Sequence, residues 1–191
     1  MRTTGAATID NFSASALTVT PQTLPFTDTF TSATNAQLNS IAWTNQAGVF
    51  GVAGGNATAP AGVGIATVNG VSAANTTVQA SVAVASPGRS AGLLARYSGP
   101  GDANYYLAEL VNDGALIRAR IWRNLNGGYA LLASGVAPAN AGVLSFNVSG
   151  SSLILSLDGN VLATATDSAL ASGSVGLRGA AGATFDNFSA N

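Results

Sequence analysis

The sequence predicts an all-β protein folded as an antiparallel two-sheet sandwich. Three observations predict it. Apolar residues alternate with a period of two through most of the chain. Clusters of Asn, Asp and Gly interrupt that alternation at short intervals. No window sustains apolar residues at i, i+3, i+4 and i+7, and 23 glycines spread over 191 residues break any helical run.

The elements can be read in order. Over residues 76–85, Val78, Ala80, Val82 and Val84 share one face and Thr77, Gln79 and Ser81 the other, as a half-buried strand requires. Similar runs follow at 91–98, 104–111, 115–123, 128–134, 143–148, 152–158, 160–166, 174–178 and 183–190. Between them stand Asn112-Asp113-Gly114, Asn126-Gly127-Gly128, Ser149-Gly150-Ser151 and Asp158-Gly159-Asn160. These residue types accept the positive φ of tight hairpin turns. About a dozen short strands at this spacing make an antiparallel sandwich.

One internal duplication organises the chain. Residues 5–14 (GAATIDNFSA) match residues 181–190 (AGATFDNFSA) at seven of ten positions. A tandem array cut one strand early leaves this pattern. Residues 1–14 therefore read as the closing strand of a preceding repeat, 15–25, with Pro21 and Pro25, as a linker, and 26–191 as the domain. The segment 5–14 is expected to pair with a sheet, either in its own chain or head to tail on a second copy.

Composition excludes whole chemistries. There is no His, no Cys and no Lys, so imidazole bases, thiolates, disulfides and Schiff-base lysines are all absent. Only 8% of residues are charged, where about a quarter is usual, and the net charge is −1. With no basic run, nucleic acid is not an expected partner. No stretch of about 18 apolar residues occurs, so no membrane insertion is expected. The start, Met1-Arg2-Thr3-Thr4, is not an export signal. A Cys-free composition rich in Thr, Asn, Gly and Ala nevertheless suits a bacterial surface protein, and the chain reads as a piece of a longer secreted one.

Several short motifs, in order, carry a resemblance. They are Phe26-Thr27-Asp28-Thr29-Phe30, Trp43, Gly54-Gly55, Leu94-Ala95-Arg96-Tyr97, Tyr105-Tyr106-Leu107-Ala108, Asp158-Gly159, Gly173-Ser174-Val175-Gly176-Leu177 and Phe185-Asp186-Asn187-Phe188. Over residues 26–191 the chain resembles the concanavalin A-like, laminin G-like jelly rolls found as non-catalytic modules in bacterial surface and polysaccharide-processing proteins. The resemblance implies a jelly-roll sandwich and a glycan or cell-surface polysaccharide as partner. It also implies a structural calcium ion where the first and last strands meet, with Asp28, Gly55 and Asp186 as candidate ligands. Hard oxygen donors suit Ca²⁺. The similar laminarinase-type glucanases use two glutamates around an Asp on one concave strand. This chain has the single glutamate Glu109, so catalysis is not expected.

The pleat itself proposes a ligand surface. Leu116, Arg118, Arg120 and Trp122 share one face of their run, and Ile117, Ala119 and Ile121 the core face. Tyr105, Leu107 and Glu109 share one face of the run before it, and Arg96 lies on the run before that. If these strands are neighbours, Arg96, Tyr105, Glu109, Arg118, Arg120 and Trp122 form one polar and aromatic surface. An aromatic plate and directed Arg and Glu hydrogen bonds suit a neutral or weakly acidic sugar. A cross-strand Glu–Arg ladder that merely solubilises the face is the alternative.

Overall fold

The computed structural model describes residues 20–31 and 36–191 of the chain, and among them there is no helix. The first strands are β1 (Phe26–Asp28), β2 (Trp43–Ala47), β3 (Gly51–Ala53), β4 (Asn56–Thr58) and β5 (Gly64–Val68). Longer strands follow: β6 (Thr76–Ala83), β7 (Ser90–Tyr97), β8 (Tyr105–Asn112), β9 (Ile117–Leu125) and β10 (Gly128–Ala137). The chain closes with β11 (Ala141–Ser149), β12 (Ser152–Leu157), β13 (Asn160–Thr166), β14 (Ser174–Ala180) and β15 (Thr184–Ala190). Every run expected from alternation is a strand. The strands β2 to β5 were not legible, because they are three to five residues long and β5, Gly-Ile-Ala-Thr-Val, is buried on both faces.

Two antiparallel sheets pack face to face. One runs β13-β12-β11-β6-β15-β4-β3, with β1 also paired to β15; the other runs β10-β9-β8-β7-β14-β5-β2. Neither sheet closes on itself. Between them lies a single large core, to which Val78, Val82, Tyr106, Leu110, Ile121, Phe146, Leu155, Leu177, Phe185 and Phe188 contribute buried side chains. Trp43 anchors one end: its ring lies 4.9 Å from that of Phe188 and 5.9 Å from that of Phe26. Burying such a side chain contributes about 1.5–3 kcal/mol.

The second sheet is buried on part of its outer face as well. Ile65, Leu94, Tyr97, Tyr105 and Leu107 form a separate apolar cluster there, with Ala47 and Trp122 packed against it. A strand face expected to be polar thus has an apolar floor. Residues 5–14 and 15–19 lie outside the described residues. Of the expected linker, residues 20–25 are described and lean on the domain: Gln22 N–H donates to Asn69 O at 2.7 Å, and Leu24 packs on the core. No helix of the described residues is long and apolar enough to cross a membrane.

Candidate functional site

Strand register assembles a site on the outer face of the second sheet. Ile65, Arg178, Gly92, Glu109, Arg120 and Ser134 form one row across it, from β5 through β14, β7, β8 and β9 to β10. Gly92 is the reason the row works. A Cβ there would collide with Leu107 and with the Glu109 side chain. Without it, Arg178 reaches over β7, and its Nη1 lies 3.8 Å from Glu109 Oε2. Glycine inside a strand often marks such a close approach.

The next rows supply the aromatic wall. Leu107 stands opposite Trp122, and Tyr105 opposite Asn124, which stands opposite Tyr129. Trp122 Nε1 donates to Glu109 Oε1 at 2.8 Å. The Trp122 and Tyr129 rings meet edge to face at 6.1 Å, the Arg120 guanidinium lies 6.0 Å from the Trp122 ring, and that of Arg178 lies 5.6 Å from the Tyr129 ring. Leu107, Glu109, Trp122, Tyr129 and Arg178 line an open cleft of about 260 Å³.

Asp102, from the loop between β7 and β8, closes one end. Its Oδ1 accepts hydrogen bonds from the Tyr105 and Tyr129 hydroxyls, its main-chain oxygen accepts one from Asn124 Nδ2 at 2.9 Å, and its Oδ2 lies 3.7 Å from Arg178 Nη2. Tyr97 stacks on Tyr105 with ring centroids 6.0 Å apart. Among the described residues, Arg178 Nε and Asn124 Oδ1 are buried without a hydrogen-bond partner. Buried polar atoms left open in this way are costly unless something satisfies them.

Burial sets the electrostatics. Glu109 is 6% exposed, and its desolvation raises its carboxyl pKa despite the opposing pull of Arg178, the Trp122 N–H and Arg120. Desolvation also raises the Tyr105 hydroxyl, reinforced by its bonds to Asp102 and Tyr129. For Arg178, burial would lower the pKa, but Tyr105, Tyr129, Glu109 and Asp102 outweigh it and the guanidinium is held charged.

The structure brings together four of the six residues expected on this face: Tyr105, Glu109, Arg120 and Trp122. Arg118 lies on the same strand but its Nε is 2.6 Å from Asp113 Oδ2, at the turn beyond the cleft. The backbone N–H groups of Leu116 and Ala115, with Arg118, pull the Asp113 carboxyl down to about 2. Arg96 requires a correction, because it is not on this face. Its φ of +53° breaks the alternation of β7, so that Tyr97 joins the outer cluster. The buried Arg96 guanidinium turns away and donates to Ala74 O, Leu170 O and Gly150 O at 2.8, 2.7 and 2.6 Å. Arg178, Tyr129, Tyr97 and Asp102 were missed. Gly92, a glycine inside an apolar run, was the one local signal of a close approach there.

The metal candidates behave differently from one another. Asp28 does not fit as a ligand: its two carboxylate oxygens accept the Phe30 N–H and Trp43 Nε1, each at 2.7 Å, and tie β1 to the core. Gly55, at φ +76°, packs against Thr29 O. Asp186 accepts from its neighbour Asn187, N–H at 2.6 Å and Nδ2 at 3.0 Å. Pairing of Phe185 with Ala57 sets Asp186 beside the start of β4. Among the described residues no group of three or more acidic side chains is placed to hold a metal. A cation at this edge would rest on the Thr29 and Gly55 carbonyls with Asp186, a hard-oxygen set that suits calcium.

Fold and site together define a concanavalin A-like jelly-roll domain with an aromatic and charged cleft on one sheet. No protein-family model and no curated protein matches the chain. Solved structures do. The carbohydrate-binding module CBM66 from Bacillus subtilis is similar at 18% identity and a TM-score of 0.66, over 78% of this chain and 95% of that one. A protein of unknown function with a galectin-like fold from Bacillus subtilis is similar at 11% identity and a TM-score of 0.66, over 87% and 94%. A β-1,3-1,4-glucanase (lichenase) derived from a mouse hindgut metagenome is similar at 11% identity and a TM-score of 0.61, over 87% and 98%. At these identities the likeness establishes the fold.

Proposed function

We propose that this chain is a non-catalytic carbohydrate-binding or adhesion module of a secreted bacterial protein, acting at the cell surface or outside the cell. The observation that carries the reading is the cleft itself. Trp122 and Tyr129 offer apolar plates to sugar C–H groups, while Glu109 and Arg178, 3.8 Å apart, offer an acceptor and a donor to hydroxyls. Glu109 and Asp102 balance Arg178 and Arg120, so the cleft favours a neutral or weakly acidic sugar. The carbohydrate-binding module among the similar structures supports the same reading.

Glycosidases of this fold are among the similar structures too. Glycoside hydrolysis needs one carboxyl group to give a proton and a second to attack or to activate water. Here Asp102 is occupied by Tyr105, Tyr129 and Asn124, and Glu109 by Trp122, so neither is free for those tasks. A glycan array probed with the wild-type chain and with Trp122→Ala tests the proposal. Binding by the wild type alone supports it. Binding by neither leaves a structural spacer. Reducing sugar released by the wild type but not by Glu109→Gln makes the protein an enzyme.

A further inference from the structure

The slot that β15 fills makes exacting demands. On one side β15 pairs with β6, from Thr184 opposite Ala83 to Ala190 opposite Val78. On the other it pairs first with β4 and then with β1, where Thr27 stands opposite Ser189 and Asp28 opposite Phe188. Four side chains point into the core, Ala183, Phe185, Phe188 and Ala190, each no more than 1% exposed. Between Asp186 and Ser189 the register shifts, and Asn187 sits at a φ of +50°, a conformation that few residues other than Asn, Asp and Gly adopt. The Asp186 carboxylate accepts from the Asn187 backbone and amide and so shapes this bulge.

Residues 5–14 meet every one of these demands. Ala7, Phe12 and Ala14 repeat Ala183, Phe188 and Ala190, Ile9 stands for Phe185, and Asp10-Asn11 repeats the bulge. The differences fall elsewhere. Ala181 and Gly182, both at positive φ, make the tight turn that delivers β15 from β14. In the duplicate their places are taken by Gly5 and Ala6, so the glycine is no longer at the second turn position. What the duplicate keeps is the strand and its bulge, and what it drops is the turn. A strand entering the slot from another chain needs the first and not the second.

We infer that residues 5–14 are a second strand cut for the β15 slot, which they enter in another copy of this chain whose own β15 has been displaced. The interaction would join copies through backbone ladders to β6 and β1, with Phe12 seated where Phe188 meets Trp43. The Ile9-for-Phe185 exchange gives up contact with Phe50, whose ring lies 5.8 Å from that of Phe185, so each copy's own β15 is preferred while it is intact. This inference does not depend on the glycan cleft.

The test uses the full chain. Phe188→Asp disables β15, and Phe12→Asp disables the duplicate. Exchange predicts that Phe188→Asp alone still melts cooperatively, with a mass by light scattering at least twice that of the wild type. Adding Phe12→Asp should abolish the fold. If single and double variants are equally unfolded, or if the rescued protein is a monomer, exchange between copies is overturned. A cross-link keeps the question open to decision in a milder background. Because the chain has no cysteine, Phe188→Ala chains bearing Ser13→Cys can be mixed with Phe188→Ala chains bearing Thr27→Cys. Exchange predicts a disulfide between the two chains in preference to either homodimer, since Ser13 would take the place of Ser189 opposite Thr27. Random pairing overturns it.

Discussion

The indole N–H of Trp122 donates to the carboxylate of Glu109 at 2.8 Å, between diagonal neighbours on β8 and β9. The bond fixes the tilt of the only tryptophan in the cleft and gives a buried acid one of its few donors. Trp122→Phe keeps a ring and removes the donor. A hydrogen bond to a charged group is worth about 1.5–3 kcal/mol, so the variant is expected to lose stability in that range. It should also bind glycan more weakly than the wild type. Urea titration and a binding isotherm measure the two effects.

Gly92 is the gap through which Arg178 meets Glu109. Gly92→Ala places a methyl against Leu107 and the Glu109 side chain. Overpacking of this kind costs about 1–3 kcal/mol, and it should close the cleft. Expected is a folded protein with a lowered melting temperature and glycan binding reduced at least tenfold, read by calorimetry. Undiminished affinity would place the ligand elsewhere.

Glu109 has a carboxyl pKa raised by burial. A raised folded pKa means that its contribution to stability is fully present below the ordinary carboxylate value and is lost as pH rises through the folded value. Gln has the same shape and does not titrate. The stability of the wild type relative to Glu109→Gln should therefore fall between ~pH 4 and ~pH 7. Denaturation curves at the two ends check the sign.

Asp167 behaves in the opposite sense. Burial pushes its carboxyl up, but the Tyr106 hydroxyl, the Ala169 N–H and Arg123, 2.7 Å away, together hold it below the usual aspartate range. Its contribution is present above the ordinary value and is lost as pH falls through the lowered one. Asp167→Asn should cost about 1–3 kcal/mol at neutral pH and progressively less in acid. A cost that grows in acid would contradict the assignment.

Calcium at the edge between Gly55, Thr29 and Asp186 is the remaining expectation. Millimolar Ca²⁺ should raise the melting temperature by a few degrees and Mg²⁺ should not, because a flexible carbonyl-rich site suits the larger ion. Asp186→Ala should remove the response, whereas Asp28→Asn should lower the baseline by loosening β1 from Trp43. Identical melting in EDTA and in calcium would reject the site.

The sequence by itself determined the strands and half of the site. Alternation is a local property, so it marked β6 to β15, put Ile121 in the core and placed Glu109 with Trp122 on one outer face. It also recorded the β15 duplicate, because a repeat needs no structure to be seen. Alternation carries no information about which strands become neighbours. Arg178 lies 69 positions after Glu109 in the chain and reaches it only because β14 pairs beside β7 and Gly92 leaves the space. Asp102 read as a turn residue, and only the folding of its loop over Tyr105 and Tyr129 brought it to the cleft. Arg96 shows the converse. One left-handed residue, at φ +53°, removed it from the face that its sequence position assigned, and three loop carbonyls hold it there. Local period fixes the direction of a side chain along an unbroken strand, and long-range register decides what it meets.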